Sequence, residues 1–227
     1  DFEDDLSDSL GYFEDGVPTN DRPDNLDGAA VGYAAGIEGQ ALSLNGTNGV
    51  LLPAGLISNY EYTVSFWYQP NANTMFTPSI FAESSQGWIS LMPFNWAEKI
   101  LLWSILADGT RLDAPTGEFP TETTPSTEKS VVPGQWSHLA FSVKNGALTV
   151  YVDGETGPTV GNLADLFSNE TGNFYLGVNW WDIPLNGQVD DLRIYEASLT
   201  AGEIIALDID KLPASELLET AVDILEL

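Results

Sequence analysis

Short apolar or alternating runs, punctuated by Gly, Pro, Asn and Asp, recur along the chain in the pattern of antiparallel strands joined by turns. Ten candidate strands follow from it, at 41–44, 50–52, 62–69, 79–82, 88–91, 100–105, 137–143, 148–152, 174–176 and 188–195. In Tyr62-Thr63-Val64-Ser65-Phe66-Trp67-Tyr68, alternation sends Tyr62, Val64, Phe66 and Tyr68 to one face and Thr63, Ser65 and Trp67 to the other, which predicts a sheet with one dry side. Lys144-Asn145-Gly146-Ala147 sets an Asn-Gly pair between two strand-like runs, the chemistry of a type I′ hairpin, and Val152-Asp153-Gly154 repeats the signal. Strands in this number, with no helices between them, exclude a parallel α/β sheet and predict an all-β sandwich of two antiparallel sheets.

Two stretches break the rhythm. From 108 to 133 the chain is rich in Thr, Pro, Glu and Gly with no sustained apolar period, which predicts a long loop able to shape a ligand site. Thr200-Ala201-Gly202-Glu203 has the spacing of a capping box and opens a short helix through about Leu207. Beyond Pro213, Leu217, Leu218, Ala221, Val222 and Leu225 recur at helical spacing between Glu216, Glu219 and Glu226, so a second helix is expected. The expected division is one β domain over 1–208 and a helical linker over 209–227 leading toward another domain.

At 227 residues and 43% hydrophobic, the chain can bury a full core as one large β domain. Thirty-four acidic against seven basic residues give a formal charge of −27, which repels phosphate backbones and anionic headgroups and so argues against nucleic acid and membrane partners. Such acidity suits a solvated extracellular surface, a salty habitat, or carboxylates gathered around a cation. With no cysteine, disulfides and thiolate metal sites are excluded. No apolar run reaches the ~18 residues of a membrane span, and the chain opens at Asp1 without a signal-type segment, as expected of a processed or excised module. Two acceptor sequons, at Asn45 and Asn169, are expected to be chance occurrences.

Six motifs then occur in one order: Phe2-Glu3-Asp4-Asp5, Gly39-Gln40-Ala41-Leu42-Ser43-Leu44-Asn45-Gly46, Tyr62-Thr63-Val64-Ser65-Phe66-Trp67, Gln135-Trp136-Ser137-His138-Leu139-Ala140, Val150-Tyr151-Val152-Asp153-Gly154 and Val189-Asp190-Asp191-Leu192-Arg193-Ile194-Tyr195. Together they resemble the laminin G-like, concanavalin A-type lectin and glucanase domains. The resemblance implies a jelly roll of two stacked sheets, often a calcium near the joined chain ends, and frequent service as a carbohydrate-binding module beside a bacterial glycoside hydrolase. Glu3, Asp4, Asp5 and Asp8 at one end, with Asp190 and Asp191 near the other, are then the candidate metal ligands, since calcium takes six to eight oxygens from converging segments. Strand alternation points Asp190 and Asp191 to opposite faces, so only one is expected to reach a given cation. Solvated loop acids are the alternative.

A glycan site needs aromatic rings for the flat C–H face of a sugar and amides or carboxylates for its hydroxyls. Asn179-Trp180-Trp181-Asp182 supplies these within four residues, and Phe94-Asn95-Trp96-Ala97-Glu98 does so again. One of Trp180 and Trp181 is expected to be buried and the other exposed, and both capping the sandwich is the alternative. Trp88 and Trp103 are sheet-face candidates for a concave groove, whereas Trp67 and Trp136 are expected to pack in core or sheet. His138 sits in a strand just after Trp136, within one of the six motifs and with no serine or cysteine signature, and is expected to be structural. The paired carboxylates of a jelly-roll glucanase strand are missing: no Glu-x-Asp-x-Glu pattern occurs, and Glu118, Glu122 and Glu128 stand apart in the loop. The expectation is a non-catalytic carbohydrate-binding module that attaches a secreted bacterial glycoside hydrolase or surface protein to polysaccharide. An adhesion or spacer module, and a jelly-roll hydrolase, are the alternatives.

Overall fold

The computed structural model describes residues 2–95, 97–111, 126–209 and 211. Among these, one sheet runs in the order β1 (Val17–Thr19), β4 (Gly49–Leu52), β12 (Asn173–Leu176), β6 (Ile80–Ser84), β7 (Gly87–Met92) and β8 (Leu101–Leu106). The other runs β11 (Glu155–Thr156), β10 (Ala147–Val152), β9 (Ser137–Lys144), β5 (Glu61–Pro70), β13 (Asn186–Tyr195), β3 (Gln40–Asn45) and β2 (Gly32–Ala35). Every pairing is antiparallel, and the two sheets form a jelly-roll sandwich. All ten predicted strands are present; β1, β2 and β11 are additional, short and at sheet edges, with too few residues to show a period.

Tyr62, Val64, Phe66 and Tyr68 of β5 face inward with Leu139, Phe141 and Val143 of β9, against Ile80, Ile89, Leu91, Leu102, Phe174 and Leu176 of the opposite sheet. Tyr62 anchors one end of this core, meeting Phe141 and Phe167 edge-on at 6.3 and 5.9 Å. The turns form where the sequence puts them. Asn145 and Gly146 have φ of 48° and 85°, and Asp153 and Gly154 have 46° and 75°, the left-handed pair a type I′ hairpin requires.

The second face of β5 departs from expectation. Thr63 and Ser65 are buried rather than wet: Thr63 lies under the returning segment that leads into helix α1 (Ala201–Ile209), and Ser65 meets the buried His138. Thr63 Oγ1 donates to the Ala197 carbonyl at 2.8 Å and accepts the Leu199 amide at 2.9 Å, while Ile204, with Leu199 and Ala201, packs on Ala140 and Tyr151. The helix opens on the predicted capping box, Thr200 and Glu203 each bonding the other's backbone amide. Trp67 packs within the sheet, its ring 5.3 Å from that of His138, but Trp136 is only half-buried just before β9 and belongs to no core cluster. The second predicted helix and most of the expected linker lie outside the described residues, as does 112–125 of the predicted loop.

Candidate functional site

The outer face of the six-stranded sheet carries an aromatic row. Tyr175, Phe81, Ser90 and Trp103 stand directly opposite one another across β12, β6, β7 and β8, and residues so paired share a face. Two positions before Ser90, Trp88 adds a second indole to that face, and the rings of Trp88 and Trp103 lie 6.3 Å apart. The loop after β12 folds over this row and delivers Trp181, whose ring is 5.2 Å from Trp88 and 5.6 Å from Phe81. The result is an open cleft of about 210 Å³ lined by Trp88, Ser90, Trp103, Trp181, Asn179 and Asp182 along with Met92 and Ile105.

Asn179 makes the loop. Buried to 1% exposure, it accepts the amides of Trp181 and Asp182 on Oδ1 at 3.1 and 2.7 Å, and donates Nδ2 to Asp182 Oδ2 at 2.7 Å. This Asx turn sets the two tryptophans apart. Both are exposed, Trp180 to 39% and Trp181 to 48%, so the expected burial of one fails: a turn does not alternate as a strand does. Burial pushes the Asp182 carboxyl above the usual carboxylate range, opposed by hydrogen bonds from Asn179 and Trp181 and by the Arg22 charge. The Arg111 guanidinium sits 4.9 Å over the Trp103 ring and Phe76 lies 6.0 Å from it, which walls the β8 side.

The cleft thus gathers Trp88, Trp103, Asn179, Trp181 and Asp182 from two sequence regions proposed as separate sites. Trp180 stands outside it, its indole N–H on the Glu83 carboxylate. Trp96 lies outside the described residues, and its neighbour Asn95 is fully buried, capping the Ala97 amide at 2.7 Å. Sequence reasoning missed Ser90, Met92, Ile105 and Glu83. The period-two pattern Trp88, Ser90, Met92 and Trp103, Ile105 carried the signal for three of them.

The six candidate metal ligands divide. Glu3 and Asp190 meet one turn: Glu3 Oε1 accepts the Gln40 amide at 3.1 Å, and Asp190 Oδ2 the Ile37 and Glu38 amides at 3.0 and 3.4 Å. Burial raises the Asp190 carboxyl, and these bonds oppose the rise. Asp4 is exposed at φ 64°, Asp5 bonds Ser7, and Asp8 holds the amides of Leu10, Tyr12 and Phe13. Between Asp190 and Arg193 a β-bulge interrupts the ladder with β5, and Asp191 takes φ 47°. The alternation expected of Asp190 and Asp191 is therefore lost: Asp190 pairs with Trp67, and Asp191 turns to Arg193, which is paired with Ser65 on that same outer face. Among the described residues no three His, Asp or Glu side chains gather as a metal-holding group.

His138 is a core residue. Its Nε2 lies 2.8 Å from Ser65 Oγ, no partner among the described residues meets Nδ1, and burial lowers its pKa to about 4.

The sequence model of the concanavalin A-like lectin/glucanases superfamily matches residues 44–205, and the chain belongs to this superfamily. Among solved structures it is similar to domain 4 of AbnA, a GH43 extracellular arabinanase from Geobacillus stearothermophilus, in complex with arabinotriose, at 40% identity and a TM-score of 0.78, covering 90% of this chain and 93% of that one. A heptameric SAP-like pentraxin from Limulus polyphemus (17% identity, TM-score 0.55, 77% of this chain and 84% of that one) shares the fold. So does the Trypanosoma rangeli sialidase in complex with sialic acid (16%, 0.54, 79% and 29%). No curated protein sequence matches the chain. Among the described residues no helix is long and apolar enough to cross a membrane.

Proposed function

We propose that the chain is a non-catalytic carbohydrate-binding module that takes arabino-oligosaccharides in the cleft between Trp88, Trp103 and Trp181. What carries this reading is the pair of indoles 5.2 Å apart with the Asn179–Asp182 turn at their edge: apolar planes for the C–H face of a sugar, and a carboxylate and amide for its hydroxyls. The Ser90 hydroxyl, with no protein partner among the described residues, lies on the floor. The arabinotriose bound to a domain 40% identical over nine-tenths of this chain supports the ligand class.

In a longer protein the module, over about 1–208 with 209–227 as linker, would hold a secreted glycoside hydrolase on its polysaccharide. Calcium at the joined ends belongs to the same proposal. Glu3 and Asp190 would be its carboxylate ligands, since they alone of the six candidates meet the 36–40 turn, with carbonyls and water completing the shell. Calorimetric titration with arabinotriose, and with xylo- and cello-oligosaccharides as controls, tests the reading. Saturable binding of the first is expected, and its absence against every glycan offered would leave the adhesion or spacer alternative standing.

A further inference from the structure

Trp180 has its own support, separate from the cleft. Its indole N–H donates to both oxygens of the Glu83 carboxylate at 3.0 Å each, and Glu83 Oε1 also accepts the Tyr175 hydroxyl at 3.0 Å. Beneath, the Tyr175 ring meets Trp180 edge-on at 6.1 Å. Glu83 stands opposite Trp88 in the β6–β7 ladder and opposite Asn173 in the β6–β12 ladder, so the carboxylate bridges the cleft floor and the place where Trp180 stands.

The sandwich does not need this arrangement. Tyr175 is already stacked on Phe81 at 5.7 Å and 26°, and Trp180 lies outside every buried cluster. An exposed indole otherwise samples several rotamers, and ordering an interface side chain on binding costs affinity. Trp180 has that freedom removed before any ligand arrives.

We propose that Glu83 is a positioning residue that fixes Trp180 as a second stacking platform beside the cleft, so that the module grips a chain of sugars lying across the strands from β8 to β12. From Trp103 on β8 to Tyr175 on β12 are three interstrand steps of ~4.8 Å, roughly 14 Å, with Trp181 over the middle of that line. This rests on the carbohydrate-binding reading of the cleft and adds to it a length requirement.

Titration of arabinobiose and arabinohexaose against the parent protein, Glu83→Ala, Glu83→Gln, Trp180→Ala and the double variant Glu83→Ala/Trp180→Ala tests it. The parent is expected to bind the hexaose more tightly than the biose. Trp180→Ala and Glu83→Ala should each weaken the hexaose by roughly tenfold and leave the biose unchanged, with Glu83→Gln between, since its amide oxygen keeps one acceptor for the indole. The double variant should be no weaker than Trp180→Ala, because Glu83 acts through the indole. Additive losses, or equal losses on both oligosaccharides, would show that Glu83 touches sugar or supports the fold and would overturn the proposal. Equal affinity of the parent for both lengths overturns it while leaving the carbohydrate reading intact, whereas a parent that binds neither overturns both.

Discussion

The indole rings of Trp88 and Trp181 lie 5.2 Å apart with 54° between their planes, one fixed in strand β7 and the other brought over it by the Asn179 turn. Between them the walls of the cleft are already assembled, so a ligand pays little to order them. Trp181→Ala or Trp88→Ala is therefore expected to weaken arabinotriose binding by roughly 1–3 kcal/mol while the melting curve stays near that of the parent. Trp67→Ala should do the reverse. Its ring is 2% exposed against His138, and its loss should cost about 3–5 kcal/mol of stability with affinity preserved in the folded fraction. Titration and thermal melts on the three variants check the division, and a Trp181→Ala protein that binds as the parent does would move the site elsewhere.

Asp208, in the last turn of α1, is buried beside Asp153, and burial followed by that charge raises its carboxyl to about 6. Between the ordinary carboxylate value and 6 the folded protein holds a proton that the unfolded chain does not, so this contribution to stability is present in acid and is lost as pH rises through 6. His138 works oppositely. With its pKa lowered to about 4, the unfolded chain takes the proton first, and stability falls as pH drops from 6.5 toward 4. Asp208→Asn removes only the first effect. The variant should exceed the parent by roughly 1–3 kcal/mol at pH 7.5, with the difference vanishing near pH 4. Thermal melts across that range check it, and a difference independent of pH would sink the assignment.

If Glu3 and Asp190 hold a calcium at the 36–40 turn, ligand binding to the native state alone should raise the melting temperature in added calcium and lower it in chelator. Glu3→Gln should abolish most of that response. Gly39 faces the same carboxylate, since a Cβ there would fall 2.1 Å from Glu3 Oε1, so Gly39→Ala should destabilise the turn with or without the ion. Identical melting of the parent in excess chelator and in excess calcium would remove the cation from the account.

Local chemistry was legible in the sequence. The Asn145-Gly146 hairpin and the Thr200–Glu203 capping box each depend on residues within a few positions, and both formed where their spacing put them. Long-range burial was not legible: the wet face predicted for Thr63 and Ser65 is buried, Thr63 under a segment more than a hundred residues later in the chain. The same holds at the site. Trp88 and Trp103 were readable as one sheet face by their period, and Asn179-Trp180-Trp181-Asp182 as an aromatic turn, but only the pairing of β12 with β6 makes them one cleft. Asp190 and Asp191 misled because alternation presumes a regular ladder, and the bulge between them and Arg193 has no sequence mark.

The last prediction is the absence of hydrolysis. Cleaving a glycosidic bond takes two carboxyl groups flanking it, one protonated as acid and one ionised as base or nucleophile. Among the described residues lining the cleft only Asp182 carries a carboxyl group, and one of its oxygens is held by Asn179. Glu83, paired with Trp88 across the β6–β7 ladder, is occupied by the Trp180 indole and the Tyr175 hydroxyl. Purified protein incubated with arabinan or arabino-oligosaccharides should release no reducing sugar over long incubation, with or without calcium. Asp182→Asn should weaken binding by roughly 1–2 kcal/mol, as loss of one charged hydrogen-bond acceptor does, and change nothing in the product analysis. Steady release from the parent that disappeared in Asp182→Asn or in Glu83→Gln would mean that these two carboxylates act on one bond across the rim of the cleft, and the chain would then be an enzyme.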